Sequence, residues 1–263
     1  MQGTSVSSPK GTGRLECGEP MVESDQTGSA EDPAEIHVWD LPLRVFHWLL
    51  ALTILGCWLT ETLGVAWMQW HMRLGYLALG LVVFRIAWGF VGPTYARFSN
   101  FLVGPAAVWR YARSWLEGRP PAYAGHNPIA GWVIVLMLIC VLVQATSGLF
   151  HTDDILTAGP MRAAVSTNLA DDLGGVHATN ADLLWILIGA HLLALLVHRL
   201  VAGERLVSGM LTGRKKGPFA TGQAGISGSR LWMALALALS VTAAVWLILA
   251  FAPEPDLASF DFS

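Results

Sequence analysis

Five apolar runs, at about 43–63, 72–91, 128–150, 180–201 and 231–252, stand out from an otherwise polar and turn-rich chain. Each is long enough, at about 1.5 Å per residue, for an α-helix to cross a hydrocarbon core of about 30 Å. Asp40-Leu41-Pro42 leads into the first run, and Asn127-Pro128 opens the third in the manner of a helix cap followed by proline. Gly92-Pro93 closes the second. Between the second and third runs, Trp109, Tyr111 and Trp115 sit among arginines, which predicts a short amphipathic helix lying on the membrane face. The stretch 151–176 reads as a long polar loop. Residues 1–35, rich in Ser, Gly, Glu and Asp, read as a disordered tail. The pattern predicts an all-α integral membrane helical bundle over residues 36–216, followed by a linker and a fifth C-terminal transmembrane helix over 217–263.

Composition strengthens this reading. The 263 residues are 54% hydrophobic and 13% charged, where soluble domains carry about 25% charged residues; mean hydropathy is +0.50. Five spans are too many for a leader followed by a soluble domain, and the first begins after about forty polar residues, unlike a cleavable signal. Thirteen of the sixteen basic residues fall on one side of the predicted membrane: Lys10, Arg14, Arg44, Arg97, Arg110, Arg113, Arg119, Arg199, Arg205, Arg214, Lys215, Lys216 and Arg230. Arg73 and Arg162 fall on the other, and Arg85 within a span. The positive-inside rule then sets the N-terminus in the cytoplasm and the C-terminus in the periplasm of a bacterial inner membrane. The opposite loop carries Asp153, Asp154, Asp171 and Asp172. The net charge of −3 adds little, and no nucleic-acid partner is expected. Cys17, Cys57 and Cys140 are unclustered, and no Cys-x-x-Cys-His occurs that would attach a c-type haem.

The candidate chemistry lies in the histidines. His177 and His191 are fourteen residues apart on the fourth span, close to four helical turns, so both imidazoles leave one face about 21 Å apart along the axis. His47 lies one turn inside the first span and His71 opens the second. Counting depth through alternating spans puts His47 level with His191 near the inner surface, and His71 level with His177 near the outer one. Each level then holds two imidazoles from different helices, which suits bis-imidazole ligation of a haem iron. An ionisable group within a span points to function, because its burial is costly without a partner.

Arg85 lies fourteen residues after His71, at the inner level, where a guanidinium can pair with a haem propionate; snorkelling to the interface is its alternative. Arg44, three residues before His47, could serve likewise. His198, seven residues after His191, is the competing ligand, although its depth places it among the headgroups. His37 reads as interfacial, His126 as part of the opening of the third span, and His151 as a surface group able to reach a propionate or a quinone. Gln144 is a polar group inside a span with no assigned partner. Gly56, Gly75, Gly80 and Gly189 leave room for a flat macrocycle or for ordinary small-residue helix packing.

At these residues the chain resembles the bacterial cytochrome b561 and hydrogenase-type b cytochromes. The likeness runs through Val38-Trp39-Asp40-Leu41-Pro42 with Arg44, Phe46, His47 and Trp48, and through His71-Met72-Arg73-Leu74-Gly75-Tyr76. It continues with Arg85-Ile86-Ala87-Trp88-Gly89-Phe90-Val91-Gly92-Pro93, Gly125-His126-Asn127-Pro128, His177, His191 and Met210-Leu211-Thr212-Gly213-Arg214-Lys215. It covers about residues 36–216, in order. The resemblance implies a four-helix cytochrome b core holding two haem b groups, with the first- and second-helix histidines each pairing with one on the fourth. The tail and the fifth span depart from that pattern.

With both axial positions filled, an iron has no vacant site for oxygen, so electron transfer is the expected function. The expected route joins a quinone pool to an extracytoplasmic partner, either a c-type cytochrome or a redox enzyme such as a hydrogenase; a homodimer is left open. The alternative is a stand-alone membrane oxidoreductase, such as a superoxide:quinone oxidoreductase. That reading calls for an electropositive outer surface, whereas the outer loop here is acidic.

Overall fold

The computed structural model describes residues 35–118, 121–152, 157–217 and 224–253. Residues 1–34 of the predicted tail, Arg119 and the Asp153-Asp154 pair lie outside the described residues, while Glu35, expected in the tail, belongs to a strand.

Five helices are long and apolar enough to cross a membrane, and the chain is a multi-pass membrane protein. They are α1 (Leu41–Thr62), α2 (Met68–Val91), α5 (Pro128–Gly148), α6 (Thr167–Val201) and α8 (Leu231–Ala250). Between them lie α3 (Phe98–Phe101), α4 (Pro105–Leu116) and α7 (Leu206–Thr212). The starts follow capping chemistry. Asp40 accepts from Leu43 N at 3.0 Å, with Pro42 in the first turn of α1. Asn127 accepts from Ala130 N at 2.8 Å ahead of α5. Both side chains satisfy N–H groups that have no intrahelical acceptor.

The helices run alternately up and down. α1 packs on α2, α2 on α5, and α5 on α6, while α8 lies against α2. The end of the bundle where α1 and α5 start and α2 and α6 finish is called proximal below, and the opposite end distal. The proximal end holds most of the buried core: Val38, Trp39, Leu43, Phe46, Val82, Trp88, Tyr95 and Ala96. Large apolar side chains elsewhere, such as Leu52, Ile186, Leu193 and Leu239, face outward, as lipid-facing positions do.

Two elements differ from the sequence expectation, and the expected short amphipathic helix is present. α6 is 35 residues long, beginning at Thr167 inside the stretch expected to be loop. Ser166 caps it, and at about 52 Å it is longer than a bilayer core is thick. His177 is therefore ten residues into the helix and does not begin it. The amphipathic stretch resolves into α4, with Tyr111 buried and Trp109 exposed, preceded by short turns. Finally, a two-stranded antiparallel ribbon interrupts the all-α pattern: β1 (Glu35–His37) pairs with β2 (Arg214–Lys216), His37 opposite Arg214. Gly213 ends α7 at φ +82°, a conformation natural to glycine. Its carbonyl accepts from Val38 N and Trp39 N at 2.9 and 3.1 Å, which ties the start of α1 to the end of α7.

Candidate functional site

α6 supplies one histidine at each of two depths. At the proximal level its His191 faces His47 of α1, with ring centroids 6.5 Å apart and planes at 53°. At the distal level its His177 faces His71 of α2, at 6.3 Å and 70°. The structure thus assembles the two pairs that depth counting expects. Trp58 of α1 and Trp185 of α6 meet edge to face at 5.8 Å.

The distal imidazoles are fixed by main-chain atoms. His71 Nδ1 lies 2.9 Å from Cys57 O, and His177 Nδ1 lies 3.0 Å from Gln144 O. A carbonyl oxygen can only accept, so each Nδ1 carries the proton and each Nε2 keeps its lone pair. Gln144 has a second role that the sequence left open. Its Oε1 accepts from Asn180 Nδ2 at 2.6 Å, and the same amide donates to Cys140 O at 2.9 Å. This joins α5 to α6 one turn from His177. A Cβ on Gly148 would meet the His177 ring at 2.9 Å, so glycine is needed there. His151 stacks on the other side of His177 at 5.8 Å and 9°.

The proximal surroundings are different. His47 Nδ1 is sealed from solvent and has no partner. Arg85 is 2% exposed; its Cζ sits 5.2 Å over the Phe98 ring, and both Nη atoms lack an acceptor. Asp40 Oδ1 accepts from Trp88 Nε1 at 3.1 Å, while Oδ2 is buried and unpaired. Burial pushes the Asp40 carboxyl above its usual range, against hydrogen bonds from Leu43 and Trp88 and the charge of Arg85. His126 packs between Trp39 (4.5 Å) and Phe101 (4.8 Å). Burial drives its pKa down to about 3, with Arg85 and Lys215 adding to the shift.

Two expectations are corrected or narrowed here. Arg44 does not reach into this region: Nε donates to Met210 O at 3.2 Å and Nη2 to Leu211 O. It neutralises carbonyls at the C-terminal end of α7, where a cation is favoured. His198 stands away from His47, in a separate cluster with Trp115 (4.9 Å), Asn127 and Glu204. There Glu204 lies 3.5 Å from Lys215 Nζ, which also donates to Tyr123 O at 2.6 Å.

The sequence model of the prokaryotic cytochrome b561 family matches residues 38–213, which contain both histidine pairs. The chain belongs to the prokaryotic cytochrome b561 family. Related proteins include the probable Ni/Fe-hydrogenase 1 B-type cytochrome subunit of Escherichia coli K12, 25% identical over 70% of this chain and 92% of the relative. The probable Ni/Fe-hydrogenase B-type cytochrome subunit of Rhizobium leguminosarum bv. viciae is 21% identical over 68% of this chain and 88% of the relative. The subunit of the same name from Rhodobacter capsulatus is 32% identical over 36% of this chain and 46% of the relative. No solved structure matches the chain. The family-matched region ends before α8, so the fifth helix is an addition to the cytochrome b561 core.

A b-type cytochrome carries haem b and transfers electrons within the membrane. The residues present fit that group. Two imidazoles holding one metal through bonds of about 2.0–2.1 Å, each ring centre about 1.1 Å beyond its nitrogen, would have centroids about 6.2–6.4 Å apart when facing each other. The observed separations are 6.3 and 6.5 Å. Among the described residues no group of three or more His, Cys, Asp or Glu converges on a metal position. Paired histidines without further protein ligands suit an iron whose remaining ligands come from a porphyrin.

Proposed function

We propose that this cytochrome b561 is a two-haem electron carrier in a bacterial inner membrane, with the proximal end cytoplasmic and the C-terminus periplasmic. His47 and His191 would hold an inner haem b, and His71 and His177 an outer one. Bound haem supplies a one-electron Fe(III)/Fe(II) couple at each level. The chain's own residues set the two histidine pairs about 21 Å apart along α6, offer two imidazoles at each level, and exclude water with the apolar faces of the bundle. The imidazole spacings carry this reading: two independent pairs both fall at the separation that a bis-imidazole metal centre requires. Arg85 offers its unpaired Nη atoms to a propionate of the inner haem.

The route runs between quinone on the cytoplasmic side and a periplasmic redox partner. The names of the relatives favour a hydrogenase-like enzyme over a soluble c-type cytochrome as that partner. Membrane lipid surrounds the bundle. The test is haem stoichiometry on the purified chain, by pyridine haemochrome against protein concentration. Two haem b per chain, both low-spin and both reducible, are expected. One haem or none would refute the two-centre reading. Superoxide-driven quinone reduction by the isolated chain would replace the carrier role with that of a stand-alone oxidoreductase.

A further inference from the structure

Among the described residues, most of the unsatisfied buried polar atoms gather at one end. Asp40 Oδ2, His47 Nδ1, both Nη atoms of Arg85, and His126 Nδ1 are all sealed from solvent without a partner. They belong to the proximal end, within electrostatic range of one another: Arg85 acts on Asp40 and His126, and His47 acts on His126. A buried guanidinium with no counter-ion costs several kcal/mol, and a buried imidazole N–H without an acceptor costs about 1–3 kcal/mol. A fold that keeps both at one end is prepared for an acceptor that the polypeptide does not provide.

Three neighbouring cations are already engaged, while Arg97 Nε is itself buried without a partner. Arg44 donates to the carbonyls that end α7, Lys215 to Tyr123 O, and Arg230 to Val91 O at 2.8 Å. Among the described residues no carboxylate lies within ion-pair distance of Arg85. Asp40, the acid that acts electrostatically on it, commits Oδ1 to Leu43 N and Trp88 Nε1. The missing partner should be an anion with two acceptor oxygens, reaching from the level of His47 toward the cytoplasmic surface. A propionate of the inner porphyrin has that chemistry and that reach.

We propose that His126, together with Arg85, seats one propionate carboxylate of the inner haem. Arg85 supplies the charge and His126 the second donor. The rings of Trp39 and Phe101 hold His126 in place, so it sets which way the propionate points. This rests on the inner haem being held by His47 and His191. A carboxylate held by two donors is better compensated, so the inner iron is easier to reduce than it would be without them.

The test uses the purified full chain and two substitutions. His126→Phe keeps an aromatic ring packed against Trp39 and Phe101 and removes both nitrogens; His126→Gln restores a donor. Haem content is measured first, then both midpoint potentials by spectroelectrochemistry, and the propionate-bending band by resonance Raman. The inner haem is identified as the one absent from His191→Ala. Wild-type protein without two haems would defeat the underlying ligand assignment, whatever His126 does. Given two haems, His126→Phe should shift the inner reduction equilibrium about tenfold toward the oxidised form, about 59 mV for one electron. It should also move the propionate band, with the outer haem unchanged and His126→Gln restoring much of both. If His126→Phe keeps two haems at wild-type potentials and an unmoved band, His126 does not hold the propionate. Equal shifts of both haems, or failure of His126→Gln to restore the band in a protein that still holds two haems, would also overturn the proposal, leaving only a packing role.

Discussion

At the distal pair both imidazoles present an Nδ1 to a main-chain carbonyl, Cys57 O and Gln144 O. At the proximal pair His47 Nδ1 has no acceptor, and the neighbouring polar groups are an unpaired Arg85, Asp40 Oδ2 and His126. The first arrangement fixes tautomer and orientation through backbone atoms that no side-chain substitution removes. It also makes the imidazoles more basic, which favours ferric iron. The second leaves orientation to packing and adds buried positive charge, which favours ferrous iron. One helix, α6, therefore carries two histidines of the same chemistry in opposed electrostatic settings. An electron arriving at the distal side would move toward the side that holds it better.

The largest expected effect tests the pairing itself. His191→Ala should leave one haem per chain, the outer, and His71→Ala should leave the inner. Loss of both haems from either variant would mean that the levels are not independent. Next comes Gly148→Val, whose side chain must displace the His177 ring; it should empty or perturb the outer site alone, read as haem content and low-spin EPR signal. The electrostatic contrast then predicts an inner haem reduced before the outer one, by at least about tenfold in equilibrium constant, about 59 mV. Redox titration that finds the outer haem higher would break the comparison.

The smallest effect lies outside both pairs. The His198 imidazole, 3.7 Å away, and then the charge of Lys215 hold the Glu204 carboxylate below its ordinary value of 4.5, against the opposing effect of burial. Its contribution is present above that value and is lost as pH falls through the lower folded value. Glu204→Gln should remove this acid-sensitive part, about 1 kcal/mol for a partly screened ion pair. Thermal unfolding at pH 4 and pH 7 should show the mutant losing less stability on acidification than the wild type.

Depth counting worked for the histidines because helix rise is nearly constant and successive spans alternate direction, so sequence separation converts to level. The starts of α1 and α5 were legible because Asp40-Leu41-Pro42 and Asn127-Pro128 act locally. What the sequence did not reveal depends on partners far along the chain. Arg44 looked like a propionate ligand because it sits one turn from His47, but the α7 carbonyls lie on the same side in space. The carbonyl anchors at Cys57 and Gln144 leave no trace in residue identity, since any residue supplies a carbonyl. Gly148 matters only because His177 packs there. The early start of α6 was hidden by Asp171, Asp172, Gly174 and Gly175, which read as loop, although Ser166 provides an adequate cap.

Because His177 and His191 share one unbroken helix, α6 works as a ruler. Inserting a single residue between them would turn one imidazole by about 100° relative to the other and lengthen the gap by about 1.5 Å, so one site could stay in register only at the expense of the other. Restoring the facing needs about a whole turn, which would lengthen the gap by about 5.4 Å. The permissible separations between the two centres are therefore quantised by helix pitch, and electron hopping slows steeply with distance, so a rod of fixed pitch leaves few workable lengths.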